Sequence, residues 1–223
     1  MANFTPTPVF FGSDLLGRSV WVVVDPRDVV TGRRLTVPLE VRLKDVAAEP
    51  IATYSGVYCF TDLKLTPGTN YTVQVKPLKD ERTRYFDGEQ PFTLAQVPPP
   101  VNPVKRNLVE VKLLPRTSYL FEPQTTLARG RLVKASDKTP IENADIFLTF
   151  GTINDEFWQR TDERGEFVIF FPRSAPEDDP SAGLKEFKFT LKFKTSGNSH
   201  TTNLLTVKEG TSSSLVAIEF PGT

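Results

Sequence analysis

Few residues in this chain of 223 carry side chains suited to chemistry, and their spacing limits what they can do. The single histidine, His200, lies in the polar run Ser196-Gly197-Asn198-Ser199-His200. Any site needing two imidazoles is excluded, and a metal would want more ligands than that loop offers. The single cysteine, Cys59, sits in the aromatic run Val57-Tyr58-Cys59-Phe60. It excludes an internal disulfide framework and a cysteine-rich zinc site. A nucleophile needs a base beside it, so a small buried apolar role fits Cys59 better. Glu177-Asp178-Asp179 stands between Pro176 and Pro180. Calcium takes about six or more oxygens from alternating positions around a sharp turn, which three consecutive carboxylates do not present. That cluster and Asp155-Glu156 are expected to be solvated. No Gly-x-Ser-x-Gly elbow occurs. No catalytic residue, metal or cofactor is expected.

Charge says little more. Lys+Arg and Asp+Glu are both 27, and the balance holds in each half, so the basic excess that nucleic-acid binding leaves in composition is missing. Hydrophobic residues make up 39% of the chain, and there are 17 phenylalanines among them, enough to build real cores. No run approaches the ~18 unbroken apolar residues of a membrane helix, so membrane insertion is not expected. Met-Ala-Asn-Phe-Thr-Pro-Thr-Pro lacks a basic region followed by an apolar one. That start predicts cytoplasmic synthesis without a signal peptide.

The elements that would position these residues read as short strands. Leu39, Val41 and Leu43 alternate with charged neighbours, as do Tyr71, Val73 and Val75 with polar ones, and Val109, Val111 and Leu113 follow the same rule. Phe187, Phe189, Leu191 and Phe193 alternate most cleanly, against Lys188, Thr190, Lys192 and Lys194. Period-two alternation predicts strands with one wet face, whereas Ser19–Asp25 is apolar on both faces and predicts a strand covered twice. Proline and glycine turns separate the runs, and no helical period lasts ten residues. The prediction is all-β, two antiparallel Greek-key sandwiches in series. Residues 96–107, rich in proline, are expected to be a stiff linker. An N-terminal extension (1–18), a first sandwich (19–95) and a second sandwich (108–223) follow. The order of turns and strands over 28–71 returns over 131–171, a weak internal repeat.

Arg129-Gly130-Arg131-Leu132-Val133, Thr139-Pro140-Ile141-Glu142-Asn143-Ala144-Asp145-Ile146 and Thr161-Asp162-Glu163-Arg164-Gly165-Glu166-Phe167 carry a more specific likeness. This second half resembles a carboxypeptidase regulatory-like domain, and the first half looks like a divergent relative among transthyretin-like sandwiches. The resemblance implies a Greek-key sandwich that stiffens, spaces or docks other proteins. Gly165 would make a turn with positive φ, Phe167 would open a buried strand, and Ala144 would sit where the sheets approach. Related hydrolases need several histidines, which this chain lacks. Related surface proteins form internal Lys–Asn or Lys–Asp isopeptide bonds, for which Lys134 and Glu219 are the imaginable participants. Exposed strand-face charges explain both without such a bond.

Aromatic residues are the strongest remaining signal. Val168 and Phe170 alternate out of step with Phe167, Ile169 and Phe171, and Phe147 out of step with Ile146 and Leu148. With the inner row as core, Phe147, Val168 and Phe170, joined by Trp158, are expected to form an outward docking patch for other proteins. The opposing reading packs that patch on the other domain, on the linker or on the proline-containing segment Tyr119-Leu120-Phe121-Glu122-Pro123. The expected function is a non-catalytic structural or docking module, a subunit of a larger assembly such as a phage-tail-like contractile injection particle assembled in the cytoplasm. The alternative is carbohydrate binding or adhesion, a glycan stacking on the aromatic rings.

Overall fold

A computed structural model describes residues 20–61, 63–78, 84–94, 107–171, 185–215 and 217–221. The expected extension and most of the expected linker, with the cluster Glu177-Asp178-Asp179, lie outside them. Among the described residues every regular element is a strand, and the chain divides into two units between Leu114 and Pro115.

The first unit holds β1 (Val20–Asp28), β2 (Leu39–Leu43), β3 (Ile51–Ala52), β4 (Tyr58–Thr61), β5 (Asn70–Pro77), β6 (Gly88–Thr93) and β7 (Leu108–Leu113). One sheet runs β3-β4-β1-β7 and the other β2-β5-β6. Val22, Val24 and Phe60 of the first face inward, with Leu43, Val73 and Val75 of the second, and each is 2% exposed or less. β1 bears out the strand apolar on both faces, since Val23 and Asp25, which alternate with that inner row, are buried too.

β7 corrects the expected domain boundary. It pairs parallel with β1, from Val23–Leu108 to Asp28–Leu113. The strand read as opening the second sandwich therefore closes the first. Its alternation was legible, but the partner of a strand is not written in its own sequence.

The second unit holds β8 (Leu127–Lys134), β9 (Asp145–Phe150), β10 (Ile153–Arg160), β11 (Glu166–Phe170), β12 (Glu186–Lys194), β13 (Ser199–Thr201), β14 (Leu205–Lys208), β15 (Ser212–Ser214) and β16 (Ile218–Phe220). β10-β9-β12-β13 form one sheet, with β14 also on β12, and β11-β8-β15 the other, with β16 also on β8. The core between them is built from phenylalanines: Phe167 meets Phe193 at 5.4 Å and Phe171 meets Phe189 at 4.9 Å, both edge to face. Ala144 is fully buried, as expected of a small residue between sheets.

The internal repeat is real at the level of register. Val22, Val23 and Val24 oppose Phe60, Cys59 and Tyr58, while Ala128, Arg129 and Gly130 oppose Ile169, Val168 and Phe167. Leu35 N–H donates to Pro26 O, and Ile141 N–H donates to Leu132 O. Gly56 and Gly165 close matching turns with φ of 77° and 70°. At Gly165 a Cβ would lie 2.5 Å from the Leu132 carbonyl oxygen, so the turn needs glycine for φ and for room.

Candidate docking surface

On β9 and β10 the outer sheet face of the second unit carries the aromatic pair Phe147–Phe157, register partners meeting edge to face at 5.9 Å. Lys194 of β12 places its Nζ 4.0 Å above the Phe147 ring. Such a contact joins cation and ring quadrupole, so the lysine stem also covers part of the apolar face. Lys192 donates to Asp155 at 2.6 Å and Arg160 to Asp145 at 3.2 Å on the same sheet. Phe157 stays 44% exposed. This is a small aromatic centre ringed by paired charges.

Three of the four expected docking residues are not on that surface. Val168 is 1% exposed and Phe170 8%, because a preceding segment lies over them. Phe121 packs on Phe170 at 6.2 Å, Tyr119 meets Phe121 edge-on at 4.7 Å, and Arg129 sits over Phe121 at 5.7 Å. For Phe170 this is the last of the opposing alternatives, packing under the run around Phe121. Trp158 is half-buried: its Nε1–H donates to the Phe170 carbonyl at 3.0 Å and its ring packs on Phe170 at 5.2 Å. Phe147 alone of the four faces outward, with Phe157 beside it. Sequence reasoning set Phe157 aside for its neighbour. Register shifts in β10 between Ile153 and Glu156 and between Phe157 and Gln159 break the alternation that would have found it.

Buried polar groups serve the backbone. Gln159 is fully buried, its amide donating to Pro115 O at 2.8 Å while its oxygen accepts from Arg160 N–H at 2.9 Å. Thr161 donates to Ile141 O and accepts from Ala144 N–H. The Asp162 carboxylate accepts from Arg164 and Glu166 N–H, both at 2.9 Å, across the Gly165 turn. Thr53 performs the equivalent task in the first unit, accepting from Val57 N–H at 3.1 Å. Asp25, 1% exposed, is clamped by Arg34 and by Arg27 at 2.7 Å. Burial alone would raise its carboxyl, but hydrogen bonds and charge from Arg34 and Arg27 outweigh burial and hold it below the usual carboxylate range.

The remaining candidates are unremarkable in place. Cys59 is buried and burial pushes its thiol up, the opposite of an activated nucleophile. His200 on β13 meets Phe220 edge-on at 6.0 Å. Lys134 is exposed, and Glu219 pairs at 2.6 Å with Lys138, both more than half exposed, so neither expected isopeptide participant lies in the interior. In the first unit, Lys44, Asp45, Asn70 and Tyr71 line a shallow cleft of about 200 Å³, and Tyr71 packs on Phe92 at 6.0 Å.

No family profile matches the chain, and no curated protein matches it in sequence. Solved structures similar to it include the Bacillus anthracis TIE protein, at TM-score 0.30 and 13% identity over 88% of this chain and 33% of that one. The shaft pilin SpaA of Lactobacillus rhamnosus GG is similar at TM-score 0.26 and 13% identity over 87% of this chain and 95% of that one. BcpA, the major pilin subunit of Bacillus cereus, is similar at TM-score 0.28 and 10% identity over 84% and 58%. The chain spans about a third of the length of the Bacillus anthracis protein. Superpositions this loose fix no shared activity.

Proposed function

We propose that this chain is a non-catalytic structural module that docks with other proteins. One observation carries the reading. The same sandwich is built twice in the same register, and Asp162, Thr161, Gln159 and Thr53 are spent on fastening its turns and strands. Phe147 and Phe157, apolar at the centre and charged around the rim, are the contact residues within this reading, as interface cores and rims are built. The likeness of the second half to carboxypeptidase regulatory-like domains belongs to the same proposal, as does cytoplasmic assembly into a large particle of the contractile-injection kind.

Size fractionation of a native host lysate tests it. Elution of this 25.0 kDa chain with a larger complex, abolished by Phe157→Asp without loss of folding, is the expected result. Elution at monomer mass for the wild-type chain overturns the assembly reading. A second reading, glycan binding, draws on Tyr71 and Phe92 beside the polar cleft in the first unit. Heat released on titrating oligosaccharides, lost in Tyr71→Ala, would support it, and no heat across a panel of neutral and acidic sugars would remove it.

A further inference from the structure

The sheet edges of the two units are closed in different ways. On β11, Trp158 donates to the Phe170 carbonyl at 3.0 Å and Gln159 to that of Val168 at 3.4 Å. β10 breaks its register twice, β3 has two residues and β6 carries Pro91. Such devices keep a strand from pairing with another chain. β2 has none of them. It forms one edge of the sheet β2-β5-β6, and its five residues pair with β5 without a shift, from Leu39–Pro77 to Leu43–Val73. Leu39, Val41 and Leu43 send their side chains into the core, while those of Glu40 and Arg42 are 44% and 45% exposed.

The ladder fixes which backbone groups of β2 face outward. Leu78 N–H donates to Pro38 O at 3.0 Å and Lys44 N–H to Thr72 O at 2.8 Å, one bond beyond each end of the strand. By antiparallel alternation, Glu40 and Arg42 also turn their backbone groups to β5, and Leu39, Val41 and Leu43 turn theirs to the open edge. Among the described residues no hydrogen bond reaches the N–H or C=O of Val41. On either side of it only long contacts occur, from Tyr58 Oη to Leu39 O and from Val46 N–H to Leu43 O, both at 3.5 Å. A row of backbone donors and acceptors in this condition is a template for another strand.

The charges on β2 identify that strand. Leu39-Glu40-Val41-Arg42-Leu43 has one pattern of apolar and charged residues read from either end, with the sign reversed. Turned about a twofold axis through Val41, a second copy sets its Arg42 against Glu40 and its Glu40 against Arg42. Val41 then exchanges both backbone hydrogen bonds with its counterpart, and Leu39 does so with Leu43 of the second copy. Glu40 and Arg42 fall at the rungs between, where side chains approach most closely. Sliding by two residues either way opposes Glu40 to Glu40 or Arg42 to Arg42, so the charges fix the register. Each charged rung reads Lys76 and Glu40, then Arg42, Gln74 and Glu89 of the second copy. Opposite charges stand side by side in it, and Gln74 accepts from Arg42 and donates to Glu89. We infer that two copies of this chain pair through β2, antiparallel about a twofold axis at Val41, into one continuous sheet β6-β5-β2-β2-β5-β6. The contact uses no residue of the aromatic surface on β9 and β10.

Pairing along one short strand buries less than the ~1,000 Å² of a strong interface, so the dimer should dissociate in the micromolar range. Sedimentation equilibrium of the purified full chain, from about 5 to about 500 μM, should therefore show a reversible dimer of the 25.0 kDa chain. Reversing one charge makes both charged rungs repulsive, so Glu40→Arg or Arg42→Glu should weaken the dimer about tenfold or more. Combining Glu40→Arg with Arg42→Glu should restore it to within about threefold of wild type. A wild-type chain that stays monomeric over that range overturns the inference and leaves a strand of a different protein as the occupant. Single reversals without effect, or a double variant no tighter than the singles, overturn it as well. So does loss of the dimer in Phe157→Asp, which puts the contact on the second unit. Should the reversals fail to fold, deuterium exchange of the Val41 amide in wild type gives an independent test. Exchange that slows as the dimer forms is expected, and exchange independent of protein concentration overturns the inference.

Discussion

Asp25 is the most exacting residue in the first unit, a carboxylate almost without solvent between two arginines that keep partial contact with it. Replacing it by Asn leaves Arg27 and Arg34 able to reach water, so the loss at neutral pH should be about 2 kcal/mol, below that for stranding a fully buried charge. Its folded carboxyl lies below its unfolded value. The stability it contributes is therefore fully present above the ordinary carboxylate value of ~3.9 and is lost as pH falls through the depressed one. Denaturant melts of wild type and Asp25→Asn should differ by that amount at pH 7, and the gap should begin to close near pH ~4 and shrink further as pH falls through the depressed carboxyl value; a gap unchanged to about pH 2 would contradict the clamp. Gly165 is exacting for a different reason. Alanine there must adopt positive φ and push on the Leu132 carbonyl, so Gly165→Ala should cost more than about 2 kcal/mol by the same melts. Gly197→Ala, with ordinary φ and open space around it, should cost under about 1 kcal/mol.

Strands with a wet face announced themselves. β2, β5, β7, β9 and β12 alternate in sequence as they alternate in burial, because one pleated face meets the core and the other meets water. β6, with Pro91 among polar residues, and β10, with Asn154, Asp155 and Glu156, did not, since most of their side chains are exposed on both faces and leave no apolar row to read. The docking residues met a different limit. Parity correctly set Val168 and Phe170 opposite the core, but parity cannot say whether another segment lies on that opposite face. The polar character of β10 has its own use: an edge strand with charges and irregular register resists pairing with another sheet. Asn154→Val with Glu156→Val should leave stability within about 0.5 kcal/mol, while light scattering rises with time at high protein concentration. A variant that stays as clear as wild type would show that the edge is protected by other means.

At the scale of the whole chain, the place where the first unit ends is the finding with most practical reach. A fragment ending at residue 107 lacks β7 and exposes the flank of β1, whereas one ending at residue 114 keeps the sheet complete. The longer fragment should give a cooperative thermal transition by calorimetry, and the shorter one should melt broadly or precipitate. Equal behaviour of the two would mean that β7 contributes little to its unit.

Each unit also closes in one particular way: its last strand lies alongside its first and parallel to it, β7 with β1 and β16 with β8. Tension applied along the polypeptide enters a unit at the start of the first strand and leaves at the end of the last. Because the two point the same way, that pull slides one past the other, and the rungs between them are loaded together rather than opened one at a time.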